Sequence, residues 1–210
     1  MVFLGFYKVG YFSESGVKGP GFYTGNLHTH TIASDGNADY NTMIDEAVRL
    51  GFDFIALTDH NTISPTTILL CPLDKRILCI IGEEVTTTDG HLLAIGIKQV
   101  IPNGLSANET VSLIHEQEGL AIPAHPGGVY ISAELLRTIN FDAVECNLSV
   151  NPSEQETGCN NTYSKVYNSD AHNTEMLSLG ANNCYLANLT WQSLKDSIKI
   201  GNCTLVSSRI

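Results

Sequence analysis

The amino-acid sequence predicts an α/β fold on a mainly parallel sheet, either open or rolled into a barrel. Strand-like apolar runs alternate with helical stretches along the chain, the signature of strand–helix units. The runs are near-continuously apolar, as strands covered on both faces are. The 210 residues, 43% hydrophobic and 16% charged, suffice for one well-buried core. No repeat, low-complexity tract or linker interrupts them, so a single domain over residues 1–210 is expected.

Taken in order, the first two dozen residues, rich in glycine and aromatics, read as an irregular entry or a short hairpin. Strand-like segments follow at 25–30, 52–57, 77–85, 92–97, 120–123, 143–146, 165–168, 184–187 and 204–206. Between them lie four helical stretches. Residues 41–50 carry Met43, Ile44, Ala47, Val48 and Leu50 on one stripe, with Gly51 as a C-terminal stop. Residues 108–118 carry Val111, Leu113 and Ile114 before Gly119. Residues 132–139 open on Ser132, a good N-cap, and residues 190–200 end at Gly201.

Composition sets further bounds. No apolar run approaches the roughly 20 residues a bilayer span needs. The amino terminus lacks a cationic start followed by an apolar stretch, which predicts a soluble, cytoplasmic protein. Cys71, Cys79, Cys146, Cys159, Cys184 and Cys203 form no C-x-x-C pair, and a chain of this length needs no staples, so free thiols are expected, with Cys79 and Cys146 as small hydrophobes. A net charge of −11 disfavours long nucleic acids and anionic membranes as partners. A small phosphate ester stays compatible with that charge if metal ions neutralise the carboxylates around a site. The sequence holds no phosphate-binding glycine loop, no G-x-S-x-G and no basic-aromatic stripe. The oligomeric state has no signature in it.

The histidines carry the chemistry. Six of the seven lie at or beside the end of a predicted strand: His28, His30, His60, His91, His125 and His172, with His91 opening its strand rather than closing it. Asp35, Asp59, Glu83, Glu84 and Asp170 accompany them. In an extended segment, residues two apart share a face, so His28 and His30 can share one metal. A lone histidine on an apolar face is most often an ordinary core residue. Six beside carboxylates, without a cation, would carry desolvation and repulsion with nothing to offset them. His115, inside the helix 108–118, lacks this context and is expected at the surface. Strand alternation forbids Glu83 and Glu84 from facing the same way. Asp59 should point away from His60, to cap a helix or support a ligand. Asp35-Gly36 reads both as a turn pair and as a carboxylate that the turn would aim.

His28-x-His30 with Ser34-Asp35-Gly36, then Thr58-Asp59-His60, Gly82-Glu83-Glu84, Ala124-His125-Pro126 and Ser169-Asp170-Ala171-His172, resembles the ordered motif series of the polymerase-and-histidinol-phosphatase (PHP) superfamily. The resemblance runs from about Asn26 to His172. It implies a distorted barrel of seven strands and helices, two or three divalent metal ions (zinc, manganese or iron) and hydrolysis of a phosphoester. Carried over motif by motif, His28, His30, Glu84 and Asp170 would hold the first metal. Glu84 would bridge to a second held with His91 and His125, and Asp35, His60 and His172 would hold a third. The family pattern selects Glu84, with Glu83 in reserve. The expected attack is by a hydroxide bridging the first two metals, and His172 is a candidate acid.

This chain departs from the pattern twice. Where many relatives follow His-Pro with an aromatic and a phosphate-facing arginine, it reads His125-Pro126-Gly127-Gly128. The stretch from Asn147 to Ser169 is also short, so the barrel is expected to be irregular or open in its C-terminal third. The missing arginine keeps one alternative in play, hydrolysis of a C–N or carboxylic ester bond on the same cluster; a non-catalytic metal-binding module is the other, and the complete ligand set speaks against it.

Overall fold

The computed structural model describes residues 18–127, 131–146 and 157–206. In chain order the elements are β1 (Gly21–Asn26), α1 (Tyr40–Arg49), β2 (Phe54–Leu57), α2 (Pro65–Leu70), β3 (Leu78–Thr87), β4 (Gly90–Ile95), α3 (Ala107–Glu116), β5 (Leu120–Pro123), α4 (Ala133–Thr138), β6 (Val144–Glu145), β7 (Lys165–Val166), β8 (Asn182–Leu186), α5 (Trp191–Lys199) and β9 (Cys203–Leu205). Seven strands form one sheet in the order β5-β4-β3-β2-β1-β8-β9, while β6 and β7 pair separately in parallel. The result is an α/β protein whose sheet curls into a half-barrel, as the distorted, open barrel expected from the sequence requires.

Both faces of the sheet are buried from β2 to β5, which explains their near-continuous apolar sequence, whereas β1 and β8 expose Phe22 and Tyr185. Ile55, Leu57, Cys79 and Ile81 pack with α1 and α3 in one cluster; Phe54, Ala56, Leu78 and Ile80 pack with Leu27, Ile122 and α5 in the other. The helices are started by local chemistry. Asp39 accepts the Thr42 N–H (2.8 Å) at the start of α1, and Ser106 and Glu109 form a reciprocal capping box on α3. Helix α2 was not anticipated, although Ser64 caps it and Pro65 occupies its first turn, a recognisable start signal.

Two expectations are corrected. The sheet is not mainly parallel: β1–β2 and β2–β3 are parallel, whereas β1–β8, β3–β4, β4–β5 and β8–β9 are antiparallel. Continuous apolarity reports burial on two faces and is silent on direction, and the short Thr88-Asp89 connection closes a hairpin instead of a crossover. The cysteines are not free thiols. Cys71–Cys79, Cys146–Cys159 and Cys184–Cys203 are disulfides. Their partners are set by tertiary neighbourhood rather than by spacing: Cys184 and Cys203 are register partners across β8 and β9.

No described helix is long and apolar enough to cross a membrane.

Candidate metal centre

His28 and His30 lie just beyond β1, past a bend at Leu27 and on either side of Thr29, which bridges to Ala171. Between them, the Thr29 hydroxyl donates to the Ala56 carbonyl (2.7 Å) and its N–H donates to Thr58 Oγ1 (3.0 Å). Thr29 therefore faces β2 while both imidazoles turn the other way, as the period of two demands. Glu84 arrives from β3 and Asp170 from the segment bridged to Thr29 through Ala171.

These four side chains converge tightly. His28 Nε2 lies 3.1 Å from His30 Nε2, 3.0 Å from Glu84 Oε2 and 3.1 Å from Asp170 Oδ1; His30 Nε2 lies 3.1 Å from each of the two carboxylate oxygens. Separations near 3 Å are those between donor atoms that share one divalent ion at bond lengths of about 2 Å. Two imidazole nitrogens at such a distance repel through their lone pairs unless a proton or a cation lies between them. The donor set thus fits a divalent ion.

Glu84 connects this group to a second. Its Oε1 lies 2.9 Å from His91 Nδ1 and 3.0 Å from His125 Nε2, while Oε2 also approaches His60 Nδ1 (3.4 Å). His91 reaches the site although it opens its strand, because the β3–β4 hairpin sets the start of β4 beside the end of β3. A third group stands at the mouth. Asp35 Oδ2 lies 3.2 Å from His172 Nε2 and 3.6 Å from His60 Nε2, and its Oδ1 lies 3.6 Å from His30 Nδ1. Buried His30 Nδ1 has no hydrogen-bond partner among the described residues, and His30 shares a compact donor set with Asp35, His60 and His172 as well as with the first group. His60 is likewise shared, joining Glu84 and His91. The nine residues singled out from the sequence therefore gather in one place, with His30 and His60 each spanning two groups.

The surroundings hold these ligands in place. Asp59 does not cap a helix: it accepts the Thr31 N–H (2.7 Å) and the Ser34 hydroxyl (2.8 Å), fixing the loop that presents Asp35. Gly36 has no room for a Cβ against the His30 carbonyl, so turn and carboxylate depend on one another. His125 and Asp170 adopt left-handed backbone (φ 30° and 52°), and Asn61, beside His60, does the same (φ 53°). Such residues cost on the order of 1–3 kcal/mol each and persist where their surroundings over-determine them. Glu83 faces the other side of the sheet, where Oε2 accepts the Ile101 N–H (2.8 Å). His115 lies outside the centre, Nε2 paired with Asp142 (2.9 Å). Gly128 of the departing His-Pro-Gly-Gly run lies outside the described residues.

The protein's own field is strong here. Burial alone would lower the His28 and His30 pKa values, but Asp170, Glu145 and Glu84 lift His28 well above the usual imidazole range, and hydrogen bonds that Asp170 and Glu84 accept carry His30 up to about 9. Burial would raise the carboxyl of Glu84, yet His28 and His125 hold it well below the usual range, and Asp170 is likewise lowered against its burial. At the more open His60, burial wins and the pKa falls. The carboxylates are thus ionised, and ligation requires His28 and His30 to release protons.

Sequence reasoning missed Glu145, a fully buried carboxylate on β6 that touches His28 and His125. The available signal was an acid inside an apolar run, Ala143-Val144-Glu145-Cys146.

Comparison with known proteins identifies the family and the fold. The PHP domain model matches residues 26–148. An uncharacterised protein of Methanocaldococcus jannaschii is 34% identical over 135 residues, covering 57% of this chain and 78% of its own length. A two-domain protein from Bacteroides vulgatus, containing a predicted PHP-like metal-dependent phosphoesterase, superposes with a TM-score of 0.71 at 19% identity, over 90% of this chain and 66% of that one. A lesion-specific endonuclease from Pyrococcus furiosus superposes with a TM-score of 0.67 at 18% identity, over 88% of this chain and 58% of its own. The chain thus spans less than two thirds of either solved structure. Asp170 and His172 lie beyond the matched family segment, and the fold nonetheless brings them to the centre.

Proposed function

The chain belongs to the PHP-domain family of metal-dependent hydrolases, and from that premise we propose that it hydrolyses a small phosphate ester with two or three divalent ions (zinc, manganese or iron) held at this centre. The observation that carries the reading is Glu84, whose two oxygens serve separate histidine groups, Oε2 with His28 and His30 and Oε1 with His91 and His125. His28, His30, Glu84 and Asp170 would hold one ion, Glu84, His91 and His125 a second, and Asp35, His60 and His172 a third, with His30 and His60 able to support the neighbouring groups. Ions so placed would polarise the phosphoryl oxygens and acidify a water.

The chain's own residues supply orientation and proton handling. Glu84 and Asp170 stay ionised and keep the ring nitrogens of His28 and His30 converged. At the half-exposed mouth, His172 Nδ1 pairs with the Asp170 carbonyl (2.9 Å), which turns Nε2 toward Asp35 and the opening. From there it serves either the third ion or, as donor, the leaving oxygen. The acidic surface, net charge −11, favours a small ester over a long nucleic acid. The three disulfides favour an oxidising compartment over the cytoplasm expected from the amino terminus.

The test is metal analysis of purified protein together with a panel of phosphomonoesters, phosphodiesters, amides and carboxylic esters, with and without added manganese. Phosphoester turnover that chelation abolishes is expected. Turnover of amides or carboxylic esters alone would move the assignment to acyl chemistry on the same donors. Bound metal without turnover on any arm would leave a binding module.

A further inference from the structure

Glu145 is buried at the junction of the small β6–β7 pair with the main sheet, and both of its oxygens are surrounded by donors. Oε1 accepts from His28 Nδ1–H (2.9 Å) and from the Asn168 side-chain amide (2.9 Å); Oε2 accepts the His125 backbone N–H (2.7 Å). Asn168 is itself oriented, because its Oδ1 accepts the Leu27 N–H (3.0 Å) and the Asn182 side-chain amide (2.8 Å). Its amide nitrogen is thereby left to Glu145. His28 uses Nδ1 for this contact and Nε2 for the four-donor group, so one ring joins Glu145 to Glu84 and Asp170. His125, whose backbone is left-handed, is pinned at its N–H while its Nε2 meets Glu84 Oε1.

We propose that Glu145 is a positioning residue of the metal centre: it keeps the proton of neutral His28 on Nδ1, leaving the Nε2 lone pair for the first ion, and it anchors the backbone turn that aims His125 at the second. A neutral imidazole ligates through one nitrogen and must give its other N–H to an acceptor, which fixes both tautomer and ring plane. A single carboxylate thus orients one ligand of each of two groups. The position demands an acceptor at both oxygens. An amide there would turn its NH2 either against His28 and Asn168 or against the His125 N–H, and no rotamer satisfies all three donors. The inference rests on the metal-centre reading above and deepens it.

The experiment compares Glu145→Gln with Glu83→Gln, since both replace a buried carboxylate by its isostere on opposite sides of the same molecule. After chelation, the full-length proteins are titrated with cobalt(II), followed by its visible absorption, and with zinc(II), followed by calorimetry. Glu145→Gln should bind about 10–100-fold more weakly, the usual cost of losing such an outer partner, with a cooperative melt retained. Glu83→Gln should bind as the parent does. In the zinc-loaded parent, proton NMR should show a downfield, exchange-protected imidazole N–H that is shifted or lost in Glu145→Gln, a signal that a purely structural carboxylate would not control. Should Glu145→Gln not melt cooperatively, Glu145→Asp keeps the charge but withdraws it by one methylene, and a several-fold loss is expected. Parent-like affinity in the tested variant, or equal loss in Glu83→Gln, overturns the proposal. A parent protein that takes up no metal overturns it together with the functional reading. A parent that binds metal tightly but turns over no phosphoester defeats the functional reading alone.

Discussion

Glu83 and Glu84, neighbours on β3, lie on opposite sides of the sheet: Glu84 stands among His28, His30, His91 and His125, while Glu83 accepts the Ile101 N–H within the other layer. This separation makes them a matched pair. Glu84→Gln keeps the shape but removes the negative charge that two cations a few ångströms apart would share, so their mutual repulsion opposes double occupancy. Loss of at least one equivalent of metal and a fall in turnover beyond the roughly hundredfold typical of an outer partner are expected. Glu83→Gln should keep its metal. Metal content and turnover of the two variants, measured side by side, decide. A dead Glu83→Gln beside a metal-replete Glu84→Gln would exchange their roles.

Glu83 also predicts a pH dependence of stability. Burial pushes its carboxyl up to about 7 from an ordinary value of 4.5, against the Ile101 hydrogen bond, and its Oε1 has no partner among the described residues. Between those pH values the folded protein holds a proton that the unfolded chain has released, so this group's contribution to stability falls as pH rises through the window and levels off above it. The shift corresponds to roughly 3 kcal/mol. Glu83→Gln, mimicking the protonated acid, should match the parent near pH 4.5 and gain on it progressively to pH 8. Denaturant unfolding of chelated parent and variant across that range checks this. A constant difference at every pH would mean that Glu83 is not the titrating group.

His115 and His125 make the second contrast. His115, on α3, pairs with the nearly buried Asp142, whereas His125 meets Glu84 inside the centre. His115→Ala should cost about 1 kcal/mol of stability, a typical net hydrogen bond, and leave metal content unchanged. His125→Ala should lose one equivalent of metal and most activity. Equal metal loss in both would show that position relative to the centre does not sort these histidines.

Much of this centre was legible in the sequence for a simple reason. Strand ends and the period of two are local properties, so His28, His30 and His60 could be placed without knowing which strands pair; the same period separates Glu83 from Glu84, and the family resemblance selects Glu84. Direction of pairing was not local. The β3–β4 hairpin depends on a two-residue connection that reads equally well as the start of a longer loop, and only the hairpin explains why His91 points inward. Glu145 escaped because a single acid in a two-residue strand has no periodicity to betray it. The disulfides escaped because Cys146 and Cys159, or Cys184 and Cys203, become neighbours only after the sheets form.

Those last two pairs supply a prediction that joins stability to the centre. Cys146 directly follows Glu145, and Gly158, beside Cys159, packs so closely on the Glu145 carbonyl that a Cβ would not fit. Cys184–Cys203 instead ties β8 to β9 and does not adjoin Glu145 along the chain. Sequence separations of 13 and 19 residues imply similar loop-closure contributions, about 3 kcal/mol each in the chain-entropy picture. Replacing either pair by serines should therefore lower stability comparably. Metal affinity should separate them. The Cys146→Ser, Cys159→Ser protein loses the brace on the strand that carries Glu145, so His28 and His125 are held less firmly and affinity should fall several-fold. The Cys184→Ser, Cys203→Ser protein should bind metal as the parent does. Unfolding midpoints and zinc calorimetry on both double variants provide the measurement. Parallel losses of affinity would mean that metal binding follows general stability, and no loss in either would mean that Glu145 keeps its place without the disulfide.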